Sequence, residues 1–264
     1  MTRRIGRATC RNLYDGGGIL LRAVDYETSA GQLPHSHPHI SITLIMSGAV
    51  KEVSENGATT GAPCSVVVKP AGLCHSDAYG QGGVRSFQVN IASDAVHAVS
   101  DYARSLRYGW YHGGSATRCM LSLVQDVKME STADGTIVRR RLRDVLGTLR
   151  EPGPLIKAHD DALAAFANAL VANPLDVPAV HAVAQRLGMH PVSLARAFRR
   201  RFGCSITEYR RRHRVLGACA DVAAGKSSLA DIAYAAGFAD QPHFCRAFKT
   251  ELGVSPGEYR RMIA

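Results

Sequence analysis

At 264 residues the chain is long for one domain and comfortable for two, each able to bury its own core. Its 32 Lys and Arg outnumber 22 Asp and Glu, and the resulting formal charge of +10 favours a polyanionic partner such as nucleic acid. No run approaches the ~20 apolar residues of a membrane span, no apolar segment follows the basic start, and seven cysteines without a CxxC pair point to a reducing, cytoplasmic setting rather than a disulfide framework.

From Ile19 to Ile91 the chain runs in short stretches rich in Val, Ile, Thr and Leu (GGILLRAVDYE, ISITLIMSG, SVVVKPAG, VRSFQVNI), broken by Gly, Pro and Asn. That is the pattern of antiparallel strands. Within it, His35-Ser36-His37 places two imidazoles on one face of a strand, and a third, His75, follows Pro70-Ala71-Gly72-Leu73-Cys74. Three such side chains on neighbouring strands of a small barrel suit a divalent metal or an acidic ligand. His39 continues the same face after Pro38 and reads as a rim residue; Cys64 and Cys74 read as small hydrophobes.

The order Gly31, His35, His37, Gly48, followed by Pro70-x-Gly72-x-x-His75, resembles the cupin fold. Two positions depart from it: Ser41, Ile42 and Thr43 stand where an acidic ligand is expected, and Tyr79 where Asn is usual. Glu52 and Gln88 are the candidate substitutes in an effector or metal site made of His35, His37, His75, Glu52 and Gln88. The resemblance also implies a competing reading, a metal-dependent dioxygenase or isomerase with a DNA-binding tail, which the missing acidic ligand disfavours. No catalytic residue is assigned, and no cofactor beyond a divalent metal.

After Ser93 the apolar spacing becomes helical, predicting helices near Ala95 to Leu106, Ala116 to Glu130, Ile137 to Leu149 and Ile156 to Val171. Trp110, in Tyr108-Gly109-Trp110-Tyr111-His112, reads as a domain-packing anchor rather than a ligand wall. Glu151-Pro152-Gly153-Pro154 is the best linker. Dividing the chain at Pro154 splits the charge into +4 before and +6 after, so the shorter segment carries the larger surplus.

That segment contains a repeat. At an offset of fifty, Arg196-Ala197-Phe198, Gly203, Ser205 and Glu208-Tyr209-Arg210 recur as Arg246-Ala247-Phe248, Gly253, Ser255 and Glu258-Tyr259-Arg260. Just upstream, Ala184 and Gly188 match Ala233 and Gly237 at forty-nine, so one turn is a residue longer. Each copy reads as a short helix (Pro178 to Leu187; Leu229 to Ala236), a glycine turn, and a second helix (Pro191 to Phe202; Gln241 to Leu252). This is the helix-turn-helix order, with the glycine supplying a left-handed turn.

In the second helices Leu194, Ala197, Phe198 and Phe202, and likewise Phe244, Ala247, Phe248 and Leu252, form the core face. On the other faces, Val192, Arg196, Gln241, His243 and Arg246 are assigned to base edges, and Ser193, Arg199, Arg200 and Lys249 to phosphates of double-stranded DNA. The connector from Ile206 to Ala223 is long enough for a helix that spaces the two readers by about one DNA turn, ~34 Å.

Leu187-Gly188-Met189-His190-Pro191, Asp231-Ile232-Ala233, Gly237-Phe238 and Val254-Ser255-Pro256-Gly257-Glu258-Tyr259-Arg260 resemble the AraC/XylS family of transcription regulators over about Ala158 to Met262. Pro242 and His243 replace commoner polar residues, and Val192 offers only apolar contact. The expectation is an α+β chain of two domains: a cupin-like sensor barrel (1–94), a helical linker (95–154), and an all-α domain (155–264) with two helix-turn-helix units joined by a long helix. The resemblance implies a sequence-specific regulator rather than an enzyme, controlled by a small molecule or metal in the barrel. It further implies a homodimer formed through Ala116 to Leu149, and RNA polymerase as another partner.

Overall fold

The computed structural model describes residues 4–263 apart from 29, 56, 100–105, 130–133, 150–162, 164, 168, 171–174 and 176–178. The strands are β1 (Arg4–Ile5), β2 (Ala8–Gly16), β3 (Ile19–Tyr26), β4 (Gly31–His35), β5 (His39–Ser54), β6 (Gly57–Gly61), β7 (Ser65–Lys69), β8 (His75–Ala92) and β9 (Gly109–His112). They pair antiparallel in one sheet, with β5 and β8 as its spine, that curls around a cavity as an open barrel.

The period of two sorts each strand onto two faces. On β5, Ile40, Ile42, Leu44 and Met46 enter the main apolar core outside the sheet, while His39, Ser41, Thr43 and Ile45 line the cavity. On β8, Phe87, Val89 and Ile91 alternate with Ser86, Gln88 and Asn90 in the same way. The oily face therefore packs on helices and the polar face is turned inward.

The helices are α1 (Val96–Val99), α2 (Gly114–Met129), α3 (Gly135–Thr148), α4 (Val180–Arg186), α5 (Pro191–Phe202), α6 (Ile206–Ala224), α7 (Leu229–Ala235), α8 (Gln241–Leu252) and α9 (Pro256–Ile263). None is long and apolar enough to cross a membrane. The helix expected at 95–106 is described only as the single turn α1, and the Glu151–Pro154 linker lies outside the described residues. Of the helix expected over 156–171, the described Leu163, Phe166, Ala167 and Leu170 pack in the core of the first helix-turn-helix unit.

Three strands, β1, β2 and β9, lie outside the stretch from Ile19 to Ile91 in which strands are expected. Residues 109–112 form β9 and extend the sheet beside β7, with Trp110 opposite Val67. Trp110 consequently faces the cavity and packs among the barrel's inner apolar residues, so it is a cavity wall rather than a domain-packing anchor. The alternation Trp110 in, Tyr111 out is short, and its flanking glycines disguise it as a turn.

The cores divide the chain unequally. Leu194 and Phe198 of the first unit close a separate cluster with Val183, Ala184 and Ile206. By contrast Phe244, Phe248, Leu252 and Tyr259 of the second unit join the sheet's outer face, α2 and α3 in one continuous core. The junction has a specific anchor. Strand β5 bulges between Ile45 and Ser47, which pair with Ser86 and Arg85, leaving Met46 out of the ladder. Tyr259, fully buried, donates its hydroxyl to the Met46 carbonyl at 2.6 Å. Beneath it lie Cys64 and Cys219, whose sulfurs are 3.2 Å apart, with the Cys64 sulfur 3.3 Å from the Tyr259 oxygen. Cys64 holds a left-handed backbone (φ 66), fixed by its amide on the Ile45 carbonyl and by the Thr117 hydroxyl on its own carbonyl.

Removing the Tyr259 hydroxyl strands a buried carbonyl, so Tyr259→Phe should lower unfolding free energy by about 1–3 kcal/mol in urea titration. Tyr209→Phe, at the equivalent position of the first repeat, should change it much less, since among the described residues its hydroxyl has no hydrogen-bond partner at the junction. Equal losses would show that the two units are anchored alike.

Candidate functional site

Both repeats fold by the same local rules. In the first, the turn glycine Gly188 has φ 61, and α5 opens with Pro191 in its first turn and His190 capping the Val192 amide at 3.3 Å. In the second, Gly237 has φ 74, and Asp240 caps the His243 amide at 2.6 Å at the start of α8. The repeated Ser and Glu are reciprocal caps: Ser205 and Ser255 each donate an amide to the following Glu208 or Glu258 at 2.7 Å, and each hydroxyl accepts the Glu amide at 3.2 Å. Gly203 and Gly253 end their helices left-handed.

The reading faces are open. Val192, Ser193, Arg196, Arg199 and Arg200 on α5, and Gln241, His243, Arg246 and Lys249 on α8, are all exposed. Among the described residues none of these cations lies within ion-pair distance of a carboxylate. The arginines of the connector, and Arg260 of α9, behave differently. Arg211 and Arg212 both bind the buried Glu251 of α8, Arg214 donates to the Ala236 carbonyl and covers the Phe238 ring, and Arg260 donates to the Val222 and Ser227 carbonyls. Positive charge is thus partitioned between cations that hold the fold and cations left for a polyanion. The 19-residue α6 spans roughly 28 Å and lies between the two units.

The second site is the barrel cavity. His35, His37 and His75 present ring nitrogens that all lie within 4.8 Å of one another. His35 and His75 each donate Nδ1–H to a backbone carbonyl two residues back, Leu33 at 2.7 Å and Leu73 at 3.2 Å, which leaves Nε2 as the bare lone pair. The Nε2 atoms of His35 and His37 are 3.1 Å apart, close to the separation of two nitrogens that share a metal at ~2.1 Å. Burial first, then the neighbouring imidazoles, push His37 down to about 4; burial and then Lys69 bring His75 to about 4. Both are neutral at physiological pH, the form that ligates.

Glu52 does point inward. It pairs with Lys69, which also reaches Asp77 at 3.3 Å, and Asp77 lies 3.8 Å from His75 Nε2. Burial opposes the Lys69 charge, but Asp77 and Glu52 outweigh it and raise its pKa, so Lys69 is an ammonium and no nucleophile. Burial also raises the Glu52 carboxyl, whereas at Asp77 the opposing Lys69 charge overcomes burial and holds the carboxyl low. Asp77 was missed by the sequence reading. The signal was present, since His75 and Asp77 are two apart and share a strand face. Gln88 lies away from the imidazoles: its Oε1 accepts from Arg22 at 3.0 Å and its Nε2 donates to the Tyr26 hydroxyl at 3.1 Å. His39 is joined to this second group by the Asn90 amide, 3.2 Å away.

Residues 183–262 match the family model described as a helix-turn-helix domain. Over 81 residues the chain is 32% identical to a probable transcription factor PqrA of Proteus vulgaris, covering 31% of this chain and 66% of that protein. Over 78 residues it is 36% identical to the transcriptional activator AarP of Providencia stuartii, covering 30% of this chain and 58% of that protein. These residues are an AraC-type helix-turn-helix domain. The chain spans no more than about two thirds of either relative. Among solved structures, ToxT of Vibrio cholerae aligns over 93% of this chain and 98% of its own at 14% identity with a TM-score of 0.39. The AraC-like activator CuxR aligns over 80% of each chain at 13% identity and 0.46.

The buried triad gives a sharp expectation. Lys69→Met leaves Glu52 and Asp77 facing each other without their cation and should cost about 3–5 kcal/mol in chemical denaturation at pH 7. The loss should shrink as pH falls and the carboxyls protonate. A loss that does not change with pH would mean that lysine packing, not charge, is what the site needs.

Proposed function

We propose that this protein is a sequence-specific DNA-binding transcription regulator whose AraC-type domain is controlled by a small molecule or metal held in the barrel. The observation that carries the reading is the pair of exposed basic faces at the same register of a duplicated helix-turn-helix, with Arg196 and Arg246, in equivalent places, unpaired among the described residues. Arg196, Arg246 and Gln241 have the forked donors that read guanine and adenine edges; Val192 and His243 lie beside them; Ser193, Arg199, Arg200 and Lys249 flank them as phosphate contacts. The relatives that match this domain bear the names of transcription factors, which accords with the proposal.

For the barrel, the three neutral imidazoles support a divalent cation such as zinc, iron, manganese or nickel, with Asp77 or Glu52 as the carboxylate neighbour. The 1–94, 95–154 and 155–264 division remains useful for the chain order, although the shared core runs across it. Control through a homodimer, and contact with RNA polymerase, belong to the same proposal. The helices α2 and α3 that would dimerise bury Val138, Leu142, Val145 and Leu146 against the sheet, leaving a polar outer face with Arg140, Arg143 and Asp144 exposed.

Two experiments test these halves separately. Arg246→Ala should cost ~1–3 kcal/mol on the cognate upstream site and relax preference at one base pair, while Lys249→Ala should weaken all sequences alike and flatten the salt dependence, measured by titration at two salt concentrations. Equal losses for both variants on cognate and random DNA would defeat the base assignment. In the barrel, the purified protein should retain close to one divalent ion per chain by elemental analysis and His37→Ala should lose it; identical metal content in both would remove metal from the sensor.

A further inference from the structure

The cavity contains two fixed cations, and only one is neutralised. Lys69 is matched by Glu52 and Asp77. Arg22, on β3, has no such partner: among the described residues its contacts are the Gln88 Oε1 at 3.0 Å and the Asn90 amide, which, turned so that both its ends are satisfied, sets its oxygen 2.9 Å from one terminal nitrogen and 3.3 Å from Nε. Both acceptors are neutral amides. They orient the guanidinium without cancelling its charge, and they are themselves held, Gln88 by the Tyr26 hydroxyl and Asn90 by Ser41 and His39.

A half-buried guanidinium braced by amides retains an uncompensated charge that is stronger than it would be in bulk water. Its planar fork matches a carboxylate in two-pronged fashion, whereas tetrahedral phosphate ordinarily draws further cations or a helix N-terminus, and Lys69 is already occupied. The other end of the cavity has the opposite need. Glu52 is 1% exposed, and among the described residues its Oε1 has no hydrogen-bond partner. A ligand donor turned toward it would meet a free acceptor. Between the two ends the lining is Ser41, Thr43, the stacked Tyr26 and Tyr79 rings, and Trp110, a wall with both hydroxyls and flat apolar faces.

We propose that the effector is a small carboxylic acid bearing hydroxyl or amino donors, its carboxylate on Arg22 and its donors turned toward Glu52. This rests on the sensing role proposed above and names the ligand class for it. Arg22 selects for the negative charge; the imidazole cluster lies on the path between the two ends, since His39 adjoins Asn90 and stacks on His37 at 5.0 Å between ring centres.

The test uses the full chain as purified, with lactate, malate, serine and glutamate as probes, each beside its neutral amide, together with inorganic phosphate and glucose. Calorimetric titration and thermal melting are read for the wild type, Arg22→Gln and Arg22→Lys. At least one acid should bind at one per chain; its amide should bind about tenfold more weakly or worse; Arg22→Gln should lose the acid by a similar factor and Arg22→Lys by less. The acid-against-amide comparison is made on the wild type, so it stands even where a variant folds poorly. Equal binding of acid and amide, preference for phosphate, binding of glucose alone, or silence from every acid overturns the carboxylate assignment. Glucose binding that shifts DNA affinity would leave sensing intact while removing this ligand class. An acid that binds through Arg22 yet leaves DNA affinity unchanged would uphold the site and remove the sensing role.

Discussion

A bulged residue in a β-strand has a carbonyl with no ladder partner, and in this protein that carbonyl is answered from the far end of the chain. Met46 leaves the β5 register, and Tyr259 of α9 donates to it from a fully buried position over Cys64 and Cys219. A buried carbonyl without a partner is costly, so the second helix-turn-helix unit cannot lift from the sheet without exposing it or opening the apolar core that surrounds it. Among the described residues the first unit shows no comparable tie: its core closes on itself, and α6 runs from it to the second unit. Two copies of one motif therefore have different mechanical status. Under the proposed sensing role, a change in the barrel wall meets the second reader directly, through the core they share.

The sheet that mediates this is inverted relative to a common soluble sheet. Its outer face carries Ile, Leu, Val and Phe because helices α2 and α3 and the second unit cover it, while its inner face carries charged, amide and imidazole groups around a cavity. Burying so many polar groups is tolerable because nearly all are paired: Lys69 with two carboxylates, Gln88 with Arg22 and Tyr26, His35 and His75 with backbone carbonyls. The groups left over among the described residues, a guanidinium with only amide acceptors and one carboxylate oxygen, are the ones the proposed ligand would engage. On that proposal sensing and stability draw on the same set of residues, and the outer face that receives the second helix-turn-helix unit is the back of the cavity wall.

Much of this was legible from the chain itself. The repeat at Arg196 and Arg246 located both readers, the glycine turns and the core faces because helical periodicity and capping residues are local signals, and Ser205 and Ser255 with their Glu partners are caps that any reading of the pattern can find. The imidazole cluster followed from the two-residue spacing of His35 and His37. Arg22 was not singled out, since a charge on a strand face says nothing about its neighbours until register is known, and Asp77 was passed over although its spacing from His75 places both on one face of β8. Trp110 was misplaced because β9 is four residues that begin with Gly109 and are followed by Gly113, too short for periodicity to register. The junction at Tyr259 was invisible for a deeper reason: in sequence it is a repeat residue like Tyr209, and only the tertiary contact with a bulge distinguishes them.

Native-state hydrogen exchange on the intact chain, read residue by residue, bears most directly on the unequal status of the two units. The shared core predicts that amides of α8 open with the same free energy as those of β5, and that amides of α5 open separately and at lower free energy. Exchange of α5 and α8 together, with the barrel opening independently, would contradict it.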